Sequence, residues 1–175
     1  MCGNETRLML EKICSACDEI ERIMGRPADL DLSIRDLFCM ETHRFFMYLS
    51  ASDGEIVQSE SDYMNELFEA RMTPKEYDIL VNDTNTYSSH FEEELPYSFK
   101  ILAMFEEKND DRLNCIKEKY PNIVDTAFDF YREAGIEFIS CDRDVDIKEI
   151  EDLGLTLAKK KYRLKLFAKK NANEV

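Results

Sequence analysis

Apolar side chains recur at helical spacing almost from the start of the chain. Leu8, Ile13, Cys17, Ile20 and Met24 predict a first helix over residues 4–24, stopped by Gly25 and Pro27. Asp31 or Ser33 caps a second, whose stripe of Ile34, Leu37, Phe38, Phe45, Tyr48 and Leu49 runs to the Asp53-Gly54 turn. A third helix is expected over 58–71, with Tyr63, Met64, Leu67 and Phe68 inward. Thr73-Pro74-Lys75-Glu76 opens a fourth: Thr is the cap, Pro takes the first helical position, and Glu closes a capping box.

The polar run 82–89 reads as a loop. Pro96 then starts a helix with Phe99, Leu102, Ala103 and Phe105 inside, and 112–119 is a short one. Pro121 begins a long helix carrying Ile123, Val124, Ala127, Phe128, Tyr131, Phe138 and Ile139, and a last helix covers 147–170. The pattern predicts an all-α, single-domain bundle of about seven helices. Residues 1–30 form an added N-terminal helix packed on the bundle, 31–170 the helical domain and 171–175 a tail. Phe38, Phe45, Leu49, Tyr63, Leu67, Phe128, Phe138 and Ile139 are the expected core.

Composition narrows the class further. Five Gly and four Pro in 175 residues are too few for the turns of a sandwich or barrel. A formal charge of −14 opposes binding to nucleic acid, whose phosphates attract clustered Lys and Arg. One stretch departs from this: Lys159, Lys160, Lys161, Arg163, Lys165, Lys169 and Lys170 have no acid among them. They complement the dipole of a helix C-terminus or form a tail that docks a protein partner. No segment has the ~20 apolar residues of a membrane span, and the N-terminus lacks the apolar core of a signal peptide, so a cytoplasmic protein is expected. The six cysteines, scattered over long helical patterns, are expected to be reduced thiols.

The chemistry-bearing motif is a loop that occurs twice. Tyr48-Leu-Ser-Ala-Ser-Asp53-Gly54-Glu55-Ile56-x3-Glu60 and Phe138-Ile-Ser-Cys-Asp142-Arg143-Asp144-Val145-x3-Glu149 share one pattern once a residue is dropped from the first. Each follows an aromatic-rich helix and precedes another, which points to a pseudo-duplicated helix–acidic loop–helix unit. The first copy also matches the second half of a calcium-binding EF-hand loop, with Gly for the turn and Glu as closing ligand. Where that loop places its early oxygen ligands the chain has Leu49 and Ala51, so binding of EF-hand type is not expected.

These two loops resemble the tellurite-resistance TerB-like family, in which an Asp-Gly-Glu-aliphatic-x3-Glu loop joins two helices once in each half of a helical bundle. The resemblance spans about residues 45–162 and leaves 1–30 outside it. It implies a non-catalytic, stress-related binding or regulatory module with an acidic metal-binding face. Asp53, Glu55 and Glu60 match the first cluster, and Asp142, Asp144 and Glu149 the second, for a divalent cation such as calcium, magnesium or manganese or for a basic partner. Arg143 replaces the turn glycine and neutralises part of the second cluster, so the first is the better cation site.

Competing readings remain. Cys14-x2-Cys17 with Cys39 and His43 has ligand types suited to zinc, whereas a cysteine on an apolar stripe is usually a small hydrophobe. His43 and His90 lack the Glu three residues earlier that a carboxylate-bridged di-metal centre requires, and no serine or cysteine stands in a nucleophile motif. The alternatives to a binding module are a purely structural protein-interaction domain without metal and a metal-dependent enzyme using the same carboxylates.

Overall fold

The computed structural model describes residues 3–50, 56–79, 94–141 and 147–172, and among these every regular element is a helix. In chain order they are α1 (Asn4–Met24), α2 (Ile34–Ser50), α3 (Gln58–Phe68), α4 (74–79), α5 (Tyr97–Glu107), a single 3₁₀ turn (Asp111–Leu113), α6 (Asn114–Lys119), α7 (Ile123–Ile139) and α8 (Ile147–Ala172). The all-α bundle expected from apolar spacing is the fold observed.

The ends of these helices follow local chemistry. Gly25 ends α1 at φ 79°, a backbone region where a Cβ is strained, while its N–H returns to Glu21 O. Ser33, rather than Asp31, caps α2: its hydroxyl accepts from Asp36 N at 3.0 Å. Helix α3 stops at Phe68, short of the expected 71, because Glu69 turns left-handed at φ 54° and Asn65 ties Met72 N and Met72 O into the following turn. Thr73 and Glu76 form the expected capping box, with Thr73 N donating to Glu76 Oε2 at 2.7 Å and Glu76 N to Thr73 Oγ1 at 3.4 Å.

Three helices, α2 among them, begin on a carboxylate supplied by another helix. Glu21 of α1 accepts from Ile34 N of α2 at 2.7 Å. Glu41 of α2 accepts from Tyr97 N at 2.6 Å and from Ser98 N at 3.0 Å at the start of α5, and also from the Ser98 hydroxyl. Glu106 of α5 accepts from Val124 N of α7 at 3.0 Å. Each satisfies N–H groups that a helix start leaves without intrahelical partners and places negative charge at the positive end of the dipole. Three of the 37 acidic residues of this chain thus join one helix to the start of another.

The centre is aromatic. Phe45 stacks on Tyr131 with ring centroids 4.5 Å apart, and Phe46 meets Phe45, Tyr63 and Phe138 at 5.3, 5.7 and 4.9 Å. Phe38 lies 6.0 Å from Phe130, and the Thr42 hydroxyl 3.4 Å from that of Tyr131. Residue numbers rise together along these contacts, so α2 and α7 run parallel and their C-terminal ends lie at one end of the bundle. The helices after them return to this pair. Tyr63 of α3 donates to Glu137 Oε2 at 3.0 Å, and a Cβ on Gly135 of α7 would stand 2.7 Å from Leu153 of α8 and 3.0 Å from Phe45. Gly135 therefore lets α7 approach side chains of both α2 and α8 more closely than any residue with a Cβ could.

Of the expected core, Phe38, Phe45, Tyr63, Leu67, Phe128 and Phe138 are buried, whereas Leu49 and Ile139 are half-buried near their helix ends. Leu8 is 64% exposed, and the inner stripe of α1 is Leu10, Ile13, Cys14, Cys17 and Ile20. Helix α1 enters the same core as the rest: Gly3 N and Thr6 Oγ1 both donate to Glu137 of α7, at 3.0 and 2.8 Å.

Candidate functional site

Helix α8, the longest in the molecule at 26 residues, carries two apolar arcs. At 3.6 residues per turn Leu153, Leu157, Leu164 and Ala168 fall on one side, and all four are buried. Ile147, Leu155, Tyr162 and Leu166 fall on a second arc and are exposed; the last three retain 59, 64 and 51% of their surface. Large apolar side chains left in water along one helix face mark an interaction surface more often than chance placement does. Beside this arc a groove of about 550 Å³ is lined by Tyr48 of α2 and by Asp152, Leu155, Lys159, Tyr162 and Arg163 of α8.

The cations of 159–170 divide by role. Lys160 is buried and donates to Glu94 O at 2.6 Å, and Lys161 pairs with Asp125 at 2.8 Å over the Phe128 ring. These two hold α8 to the fold. Lys159, Arg163, Lys165, Lys169 and Lys170 are exposed and surround the outer apolar arc. The basic run is visible in composition alone, whereas the arc beside it shows only in the spacing of Leu155, Tyr162 and Leu166.

The acidic loops are described only at their margins. Asp53, Glu55, Asp142 and Asp144 lie outside the described residues. Glu60 is buried, and its Oε2 accepts from Val57 N at 3.0 Å, which makes it the cap of α3 from the third helical position. Glu149 is half-buried in the first turn of α8. The first loop is fixed at its exit by Ile56, whose N–H donates to Asp78 Oδ1 at 3.0 Å and whose side chain is in the core.

The four-residue zinc set does not assemble. Cys14, Cys17, Cys39 and His43 are all described, yet no group of three or more His, Cys, Asp or Glu among the described residues converges on one point. The His43 ring stacks on Phe68 at 3.6 Å with Nδ1 3.1 Å from Cys39 O, and burial holds its pKa below the usual imidazole range. Cys14 and Cys39 do meet, with Sγ atoms 3.8 Å apart across the α1–α2 contact. Cys17, fully buried, has its pKa pushed up to about 12, first by burial. No helix among the described residues is long and apolar enough to cross a membrane.

Fold and surface together define an all-α bundle with one long helix apolar on two sides. Compared with protein-family models, curated proteins and solved structures, the chain matches none.

Proposed function

We propose that this chain is a non-catalytic binding module of TerB-like type, and that the outer face of α8 is its docking surface for an acidic, amphipathic segment of a protein partner. The observation that carries this reading is the exposed Leu155–Tyr162–Leu166 arc, which lies beside Lys159 and Arg163 on a chain of net charge −14. Apolar side chains spaced at i, i+3, i+4 and i+7 on a partner helix would fill the groove, and its carboxylates would meet the surrounding cations. The partner is a protein segment because the site is a groove of about 550 Å³ walled by side chains of both α2 and α8, which takes the side chains of a helix rather than a flat lipid surface.

The test uses a synthetic helical peptide of that pattern, bearing Leu at the anchor positions and Glu elsewhere. It binds the full chain with an affinity that falls as salt rises. The double change Leu155→Glu with Tyr162→Glu, both on exposed positions, weakens binding at least about tenfold while leaving the melting temperature unchanged. Absence of binding overturns the reading. So does co-sedimentation with phosphatidylserine vesicles, or self-association in sedimentation equilibrium, if the same double change abolishes it.

The shared end of α2 and α7 favours a second surface, made by the repeated acidic loop. On this reading Asp53, Glu55, Glu60, Asp142, Asp144 and Glu149 attract a divalent cation, which stabilises the folded chain by mass action. Millimolar calcium, magnesium or manganese then raises the melting temperature, and Asp53→Asn with Glu60→Gln removes that rise. A rise that survives the double change, or no rise with any of the three ions, sinks the cation reading.

A further inference from the structure

Helices α1 and α2 are joined by a nine-residue connector, 25–33, and cross where Cys14 faces Cys39. The two sulfurs are 3.8 Å apart, close to van der Waals contact, with one thiol donating to the other. Their environments differ. Cys14 is buried, whereas Cys39 is half-buried and faces the side of α2 that carries Arg35 one turn earlier. Arg35 is anchored by Asp18 of α1 at 2.6 Å, and Asp18 stands one turn after Cys14. The ion pair is exposed on the surface and links α1 to α2 one turn from the two sulfurs.

We propose that Cys39 and Cys14 are an oxidisable pair, Cys39 attacking a peroxide and Cys14 resolving the product, to give a disulfide that ties α1 to α2. In the first step the Cys39 thiolate attacks one peroxide oxygen: an S–O bond forms, the O–O bond breaks, and the departing hydroxide takes up the proton that Cys39 released on ionising, leaving as water. Cys39 is now a sulfenic acid. In the second step the Cys14 sulfur gives up its proton and attacks the Cys39 sulfur; the S–S bond forms as the S–O bond breaks, and the departing hydroxide takes up that proton as water. Two thiols and one hydrogen peroxide become one disulfide and two waters.

Thiol chemistry supports the division of roles. The hydrogen bond accepted from Cys14, aided by Arg35, holds Cys39 below the usual thiol range against the opposing effects of burial, Asp36 and Asp18. That same hydrogen bond, and then burial, push the Cys14 thiol up. Cys39 is also the less buried residue of the two, which places the attacking role on the side that a peroxide reaches. Cys17, three residues from Cys14 and fully buried, stays outside the exchange. The inference is independent of the docking face and of the acidic loops.

The experiment treats the reduced full chain with a few equivalents of hydrogen peroxide, unfolds it in denaturant, blocks the remaining thiols there with iodoacetamide and maps the peptides. A Cys14–Cys39 cross-link and a mass loss of about 2 Da are expected, both reversed by dithiothreitol. Cys17 and the exposed Cys115 remain alkylated. Without peroxide, Cys39 reacts with iodoacetamide at least about tenfold faster than Cys14. In Cys14→Ser, a dimedone adduct accumulates on Cys39. Oxidation of Cys115 ahead of Cys39, a cross-link involving Cys17, or equal alkylation of Cys14 and Cys39 overturns the proposal. The wild-type map decides alone should the serine variant fail to fold.

Discussion

Phe46→Ala lowers the free energy of unfolding by about 3–5 kcal/mol, measured by urea denaturation at unchanged slope. Phe46 is fully buried and touches rings from three elements: Phe45 on its own helix, Tyr63 and Phe68 of α3, and Phe138 of α7. Truncation removes the transfer energy of the ring and leaves a cavity, and the aromatic neighbours cannot close it without leaving their own contacts. Phe46→Leu keeps most of the volume and costs about 1.5 kcal/mol or less. A loss under 1 kcal/mol for the alanine variant would show that α3 does not pack on α2 and α7 as described.

Glu41→Ala is the second large effect, with an expected loss of about 2–3 kcal/mol. The side chain accepts from Tyr97 N, Ser98 N and the Ser98 hydroxyl, and Ser98 is fully buried, so water cannot replace the lost acceptor. Glu41→Gln leaves one oxygen as acceptor and turns an NH₂ toward a donor, costing an intermediate amount. It also exposes the titration. Burial raises the pKa of Glu41 above the ordinary 4.5, although Ser98 and Tyr97 donate to it.

The sign follows directly. The folded state holds this proton more tightly than the unfolded chain. The contribution of Glu41 to stability is therefore fully present below pH 4.5, declines as pH rises toward the raised folded pKa, and is constant above it. Glutamine has no such decline. The difference in stability between wild type and Glu41→Gln is accordingly larger at pH 4 than at pH 7. Denaturation of both proteins at the two pH values checks this, and a difference that grows toward pH 7 rejects it.

Residues that act through their neighbours in sequence were readable from the chain. Gly25 and Ser33 bound helices α1 and α2 because a left-handed stop and a hydroxyl cap work within a few residues, and Thr73 with Glu76 form their box for the same reason. The stripe through Phe38, Phe45, Tyr63, Phe128 and Phe138 was legible because helical period alone puts those side chains on inward faces. Leu8 shows the limit: it fits the period of α1 yet points to water, because Leu10, rather than Leu8, lies on the side where α7 packs. The extended reach expected for α3 failed at Glu69, whose left-handed turn is stabilised by Asn65 reaching Met72 across the bend.

The sequence by itself determined that this protein is a helical bundle, where most of its helices begin, and that an acidic loop is written into it twice, because period, caps and repeats are local properties of the chain. Tertiary structure decided what pairing across the fold decides. It ran α2 and α7 parallel, so that both loop-bearing ends share one end of the bundle. It set Glu21, Glu41 and Glu106 on the starts of other helices, a use of charge that no spacing rule encodes because the partners are 13 to 57 residues away. It brought Cys39 rather than Cys17 to Cys14, although Cys17 is the nearer in sequence: a CxxC pair on a helix shares one helix surface, and the thiol that meets Cys14 is set by the crossing of α1 and α2. It also left the outer arc of α8 in water, because a helix apolar on two sides can bury only one of them against a single bundle.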